Sequence, residues 1–416
     1  MQPAIKNKNT EATIYTCLSI SIVYSLVFLT YLNSILSILL VAFWLIFSKK
    51  EFDLSSRKTR LMLLFISLYA IGITGMIYTD NAKAGLATLE TQSAILFFPL
   101  VFGTTSVLTH TIVKKITTHL LIAIALATIA GLGYGLYNYF QTGDIEQLTR
   151  DRIVLFHVVR PVIMGLFCLL AMIIAFEKLN APSAKTKGLL YVFIGLMTLM
   201  IFLLGIRLII VCWLLIASYY FLSIVKHKAY RIFFIIIAIL LLVISAFTIP
   251  TVKTQWNELF DFSGRSTIVL DSDSSLGRNW SGKALRVAIW KCSADVVKKH
   301  WLAGVGTGDV QDSLQKAYEN RKFYFASMYN RYNAHNEYLQ VTLANGLPGF
   351  LILLSCIFYP LLHYRKKFSG NIYFLFLLLF AAVAITESIL EVNKGIIWYS
   401  FFNSIFAFGY LKSEKT

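Results

Sequence analysis

Apolar runs close to twenty residues long recur along the whole chain, and that recurrence decides what it can fold into. Wound as a helix, such a run matches the hydrocarbon thickness of a bilayer. Inside lipid every backbone N–H and C=O has to be paired within the segment, so helices are the expected form. The runs predict spans at 12–31, 33–48, 61–79, 86–107, 118–140, 158–176, 188–205, 207–225, 230–249, 346–364, 372–390 and 394–411. The fourth contains Glu90, an uncommon residue at membrane depth. With 57% hydrophobic and only 14% charged residues, and a mean hydropathy of +0.68, the chain has too much apolar surface for one soluble core. The expected class is an all-α polytopic membrane protein of about twelve transmembrane helices.

Basic residues in the connections set the expected orientation. With the N-terminus in the cytoplasm, the connections on that side carry Lys49, Lys50, Arg57, Lys58 and Arg60, then Lys114 and Lys115, then Lys178, Lys185 and Lys187. Further along they carry Lys226, Lys228 and Arg231, then Arg365, Lys366 and Lys367, and finally Lys412 and Lys415. This is the positive-inside pattern, and an even number of spans puts both termini in the cytoplasm. The same bias accounts for the net charge of +17, so the basic excess is no argument for nucleic-acid binding. The first run follows a polar start with Lys6 and Lys8 and is long enough to span, so it reads as a helix and not as a cleaved signal peptide.

Two connections on the opposite side are long. One, 141–157, includes Arg150, Asp151 and Arg152; the other, 250–345, holds 12 Lys+Arg and 9 Asp+Glu, over a third of all charges in the chain. The expected organisation is therefore 1–249 for transmembrane helices 1–9, 250–345 for a large, partly helical loop facing the periplasm, and 346–416 for helices 10–12. Within the loop, 282–299 is amphipathic at helical spacing, with Leu285, Ala288, Ile289, Cys292 and Val296 on one face, suited to lying on the membrane or capping the bundle. Cys292 is the loop's only cysteine; Cys17, Cys168, Cys212 and Cys356 fall in apolar runs, so no disulfide can form within the loop. No inverted internal repeat of the transporter kind is evident.

The residues able to do chemistry gather on the non-cytoplasmic side. Arg207 stands at the end of a span, where a guanidinium either faces a cavity or partner or snorkels to the interface. Arg286 lies on the amphipathic loop helix one turn before Trp290, and Arg152 and Arg160 bracket the entry of the sixth span. Together these arginines could form a basic pocket for a diphosphate, since a guanidinium forks two N–H groups onto phosphate oxygens. Of the histidines expected on this side, His157, His300 and His335, the last enters the amphipathic stretch YNAHNEYLQVTLANGLPG, where an imidazole can take a proton from a hydroxyl at neutral pH. Asp271 and Asp273 imitate a metal-binding DxD in a setting without nucleotide sugars. The run Gly304, Gly306, Gly308, Asp309 imitates a dinucleotide loop without the surrounding βαβ context, so a tight turn is the better reading.

These features resemble the O-antigen ligase and polymerase superfamily. The carrying motif is a histidine followed by Asn, Ser or Gln, nine residues, a glycine, two residues, and Gly, Thr or Tyr; here it reads His335, Asn336, nine residues, Gly346, Leu347, Pro348, Gly349. Upstream, Arg286, Trp290, Gly304, Gly306 and Asp309 fit the family's arginine, tryptophan and glycine-rich pattern, and the spans with a late loop fit along the whole length. One position departs: the eighth span commonly opens with Ser-Arg or Thr-Arg, whereas this chain has Ile206-Arg207. The resemblance implies a GT-C-like glycosyltransferase of the inner membrane that works without metal or other cofactor. Its donor would be a polyprenyl (undecaprenyl) diphosphate-linked glycan and its acceptor lipid A–core or a growing glycan. It implies His335 as general base, Arg207 and Arg286 on the diphosphate with Arg152 and Arg160 beside them, and inversion at the anomeric carbon. Ligase, the related polymerase and protein O-glycosylation share these features; a polysaccharide flippase or transporter is the alternative of another class.

Overall fold

The computed structural model describes residues 8–29, 31–154, 159–179, 184–224, 282–368 and 370–411. The described elements are helices, joined by short turns; the only β pairing among them is an isolated bridge between Phe368 and Leu411. The predicted span 230–249, His157, Asp271 and Asp273 lie outside the described residues.

Fourteen α-helices are described: α1 (Lys8–Phe28), α2 (Leu32–Phe47), α3 (Arg57–Gly75), α4 (Ala82–Gln92), α5 (Ala94–Thr104), α6 (His110–Thr142), α7 (Pro161–Leu179), α8 (Ala184–Leu204), α9 (Arg207–Ile224), α10 (Gly282–His300), α11 (Val310–Asn320), α12 (Glu337–Tyr364), α13 (Ile372–Val383) and α14 (Asn393–Gly409). Polar side chains set several starts. Ser56, Asn81, Thr109 and Asn336 each accept a backbone N–H from the first turn, and Pro161 opens α7 where its missing N–H costs nothing. At the other end of α6, Gly143 turns left-handed at φ +69°.

Among the described residues seven helical stretches are long and apolar enough to cross a membrane, and three shorter apolar helices (Leu32–Phe47, Arg207–Leu222, Ile372–Val383) accompany them. The chain is thus a multi-pass membrane protein, helical throughout its described spans. Four of the predicted spans differ in detail, the fifth beginning eight residues before its predicted start, at His110. The fourth is two helices, α4 and α5, that meet at Ser93. The tenth begins nine residues before its predicted start, at Glu337, and is broken at Gly346. The eleventh ends as a helix at Val383, and 384–392 is irregular apart from a single 3-10 turn at Ile389–Glu391.

The chain divides into two compact units: 1–49, 105–257 and 369–379 form one, and 50–104, 258–368 and 380–416 the other. In the first unit α1 packs on α2 and α6, and α7 on α6, α8 and α9. Helix α7 is its centre, with every residue from Ile163 to Ala175 buried. In the second unit α3 packs on α5 and α12, and α5 on α14, whose residues Lys394–Phe408 are all buried. Helix α10 covers α11 and α12. It buries Ala288, Ile289, Cys292 and Val296, and Leu285 packs alongside, so its apolar face serves the core of its own unit.

Candidate active site

The second unit brings three chain-distant side chains together. On α10, Arg286 donates from Nη2 to Glu387 Oε1 at 2.6 Å and from Nε to the Thr386 carbonyl at 3.1 Å. On the other carboxylate oxygen, Glu387 Oε2 stands 3.8 Å from His335 Nδ1, which is ion-pair range but too long for a hydrogen bond. All three are partly exposed, the Arg286, His335 and Glu387 side chains at 33%, 28% and 22%. Burial pushes the Glu387 carboxyl up, but His335 and Arg286 outweigh it and hold it below the ordinary carboxylate value. A carboxylate kept ionised on one side of an imidazole leaves the other ring nitrogen for proton transfer, the arrangement a general base requires.

The backbone around His335 is held from several sides. His335 sits at φ +44°, a region L-residues avoid, and its N–H donates to Asn333 Oδ1 at 3.1 Å. Gln340 Oε1 accepts from Ala334 N at 3.1 Å. Asn336 serves twice: its Oδ1 caps α12 by accepting from Leu339 N at 2.9 Å, and its N–H donates to Ser388 Oγ at 3.2 Å. Glu337, fully buried, donates its N–H to the Ala384 carbonyl and accepts from Leu390 N, both at 2.8 Å. Tyr338 Oη donates to the Ala381 carbonyl at 2.9 Å. Residues 336–338 therefore fasten the start of α12 onto the segment that carries Glu387.

The glycines form a joint beneath this site. Gly346 lies at φ +60° and ψ −153° and interrupts α12. The carbonyls of Leu343 and Ala344, released by the break, accept from Val305 N (2.8 Å) and Gly306 N (3.0 Å), while Leu347 N donates to the Trp301 carbonyl at 2.8 Å. A Cβ at Gly346 would strike the Leu302 carbonyl, and one at Gly304 (φ +77°) the Ala344 carbonyl carbon at 2.5 Å. The glycine-rich run is thus a tight turn that completes the backbone pairing of a broken helix. Asp309 closes it, accepting from Asp80 N at 2.7 Å and Asn81 N at 2.8 Å. Gly349 allows the helix to restart, since a Cβ there would lie 2.6 Å from the Asn345 Cβ. Trp290 packs against the α10–α11 core, with its buried Nε1 unpartnered.

Arg207, Arg152 and Arg160 belong to the first unit. Arg207 is the first residue of α9, partly buried; Arg152 is exposed on a 3-10 turn (Arg150–Ile153), and Arg160 is exposed immediately before α7. Glu387 is the member of this cluster that sequence reading missed. It lies inside the predicted span 372–390, and an ionisable residue in an apolar run was the available signal. Among the described residues no group of three or more His, Cys, Asp or Glu side chains converges to hold a metal ion. No curated protein matches the chain. Residues 192–354 match the O-antigen ligase family, a stretch that contains Arg207, Arg286, Trp290, the glycine turn, His335, Asn336, Gly346 and Gly349.

Proposed function

We propose that this protein is an O-antigen ligase-like glycosyltransferase that moves a glycan from a polyprenyl diphosphate carrier to a lipid A–core acceptor. The observation that carries the proposal is the cluster of His335, Glu387 and Arg286, set at the start of α12 within and beside the O-antigen ligase match. His335 takes the proton of the acceptor hydroxyl as its oxygen bonds to the anomeric carbon. The bond from that carbon to the diphosphate breaks, and polyprenyl diphosphate leaves with the electron pair. Charge grows on the departing diphosphate, so fixed guanidinium groups stabilise the transition state more than the ground state. Arg286 has Nε and Nη2 engaged by Thr386 and Glu387, and its Nη1, held only by a long 3.5 Å contact to the Gly282 carbonyl, is the nitrogen to turn to a phosphate oxygen. The family resemblance implies Arg207 on the diphosphate, with Arg152 and Arg160 beside it, and attack opposite the leaving group inverts the anomeric centre. No metal is required, because the arginines supply the charge.

The basic connections support an inner-membrane orientation with both termini cytoplasmic and the loop 250–345 in the periplasm. The test is a reconstituted transfer reaction with polyprenyl-diphosphate glycan, lipid A–core and no added metal, read by product mass. A donor-sized increment on lipid A–core is the expected result. Lengthened glycan still on the carrier would make the protein a polymerase, and transfer to neither would overturn the reading.

A further inference from the structure

The face of α12 that follows His335 lines a small cavity inside the second unit, about 110 Å³ in volume. Glu337, Gln340 and Asn345 line it from α12, and Glu391 from the segment 384–392. The two glutamates are the only ionisable side chains in its wall, and no Lys, Arg or His stands against them there. Helices α3 and α5 contribute only Leu68, Gly72 and Ile95. The charges on the other surrounding elements lie elsewhere. Lys83 and Glu90 of α4 and Lys316 of α11 are exposed, and Asp312 is taken by Asn81 Nδ2 and Arg331. Glu387 is engaged by Arg286, and Lys394, three residues past Glu391, does not line the cavity.

The polar atoms of the cavity are incompletely satisfied. Glu337 is fully buried, and while its Oε2 accepts from Leu390 N at 2.8 Å, its Oε1 has no hydrogen-bond partner among the described residues. Glu391 is the residue after Leu390, and Gln92 Nε2 donates to both the Leu390 carbonyl and Glu391 Oε1 at 3.3 Å. The charge of Glu391 acts on Glu337 directly. Asn345 Oδ1, also buried, is unpartnered as well, and a polar space of this size has room for water. Two carboxylates in one cavity without a counter-charge do not both ionise, so the pair keeps a proton. Burial holds the Glu391 carboxyl up at about 7, which sets release of that proton near neutral pH. Glu391 is partly exposed, at an opening lined by Ala87, Thr88, Thr91 and Gln92, which gives the proton a way out.

We propose that Glu337 and Glu391 are positioning residues, a carboxyl pair that shares a proton and thereby clasps the turn carrying His335 to the segment carrying Glu387. Glu337 lies two residues after His335, and Glu391 four after Glu387. With the proton in place, the bonds from Glu337 N to the Ala384 carbonyl and from Leu390 N to Glu337 Oε2 hold the two segments together. Its loss leaves two like charges in the cavity and forces the segments apart. The consequence for catalysis, which rests on the proposed glycosyl transfer, is a fall in activity as pH rises through about 7. The test is the pH profile of kcat/KM in the reconstituted reaction, on the full chain. Wild type should fall about tenfold per pH unit beyond that point, as loss of one proton requires. Glu391→Gln, neutral at every pH, should hold its activity there, and so should Glu337→Gln, which serves alone if the first fails to fold. Glu90→Gln, the same change of charge on an exposed residue of α4, should keep the wild-type fall. A fall unchanged in Glu391→Gln and Glu337→Gln, or abolished in Glu90→Gln, would overturn the clasp. Difference infrared spectra between about pH 6 and about pH 9 answer without any transfer. Wild type should lose a protonated-carboxyl C=O band that Glu391→Gln lacks. Absence of that band from wild type would overturn the shared proton whether or not any acceptor is glycosylated.

Discussion

His335 occupies backbone space that costs an L-residue about 1–2 kcal/mol, and four neighbouring hydrogen bonds hold it there. A strained residue so firmly fixed, beside a carboxylate that an arginine keeps charged, is the arrangement of a positioned base. His335→Ala should lower transfer by about 100-fold or more while expression and membrane insertion stay normal, measured in the reconstituted reaction. Glu387 should matter differently. Its carboxyl is held below the ordinary value, so its ion pairs stabilise the fold at neutral pH and that contribution drains away as pH falls below the ordinary carboxylate range. Melting curves against pH should show Glu387→Gln losing stability at pH 7 and losing less than wild type on further acidification. A parallel fall in both proteins would exclude the ion pair.

At the scale of elements, the site rests on two departures from regular helix. One is the joint at Gly346, where the glycine turn of 304–306 supplies the backbone partners that the broken helix lacks. Gly346→Ala must hold a left-handed conformation and press its Cβ on the Leu302 carbonyl. It should cost about 1–3 kcal/mol, read as a lower Tm in detergent, with transfer reduced because His335 immediately precedes the cap of α12. The other is the segment 384–392, which presents Glu387 and Glu391 with opposite electrostatics. Burial pushes the Glu391 carboxyl up to about 7, against a lowering contact from the Gln340 side chain. The folded chain thus holds that proton more tightly than the unfolded chain. The stabilisation is complete below about 4 and is lost as pH rises through 7. Glu391→Gln should flatten the fall in Tm between pH 5 and pH 8, and an unchanged slope would count against a buried proton there.

At the scale of the whole molecule, the charge pattern predicts sidedness. A phosphatase reporter joined after residue 320 should be active and one joined after residue 53 inactive, because the enzyme folds only outside the cytoplasm; the reverse pattern would invert the orientation. The positions of most helices, the multi-pass class, the amphipathic face of α10 and the motif from His335 to Gly349 were all legible from residues. Those features follow from local rules: lipid forces each span to satisfy its own backbone, helical period sorts α10 into two faces, and motif spacing is read directly along the chain. The pairing of Arg286 with Glu387 was not legible, because 101 residues separate them and Glu387 lay hidden in an apolar run that length alone assigned to a helix. That run leaves the helix at Val383 because α12 pairs the backbone beyond it, with Glu337 taking Ala384 and Leu390. Only the tertiary structure decides such a case. Irregular backbone inside an apolar stretch is stable when partners from elsewhere in the chain satisfy it, and a single segment read by itself carries no record of them.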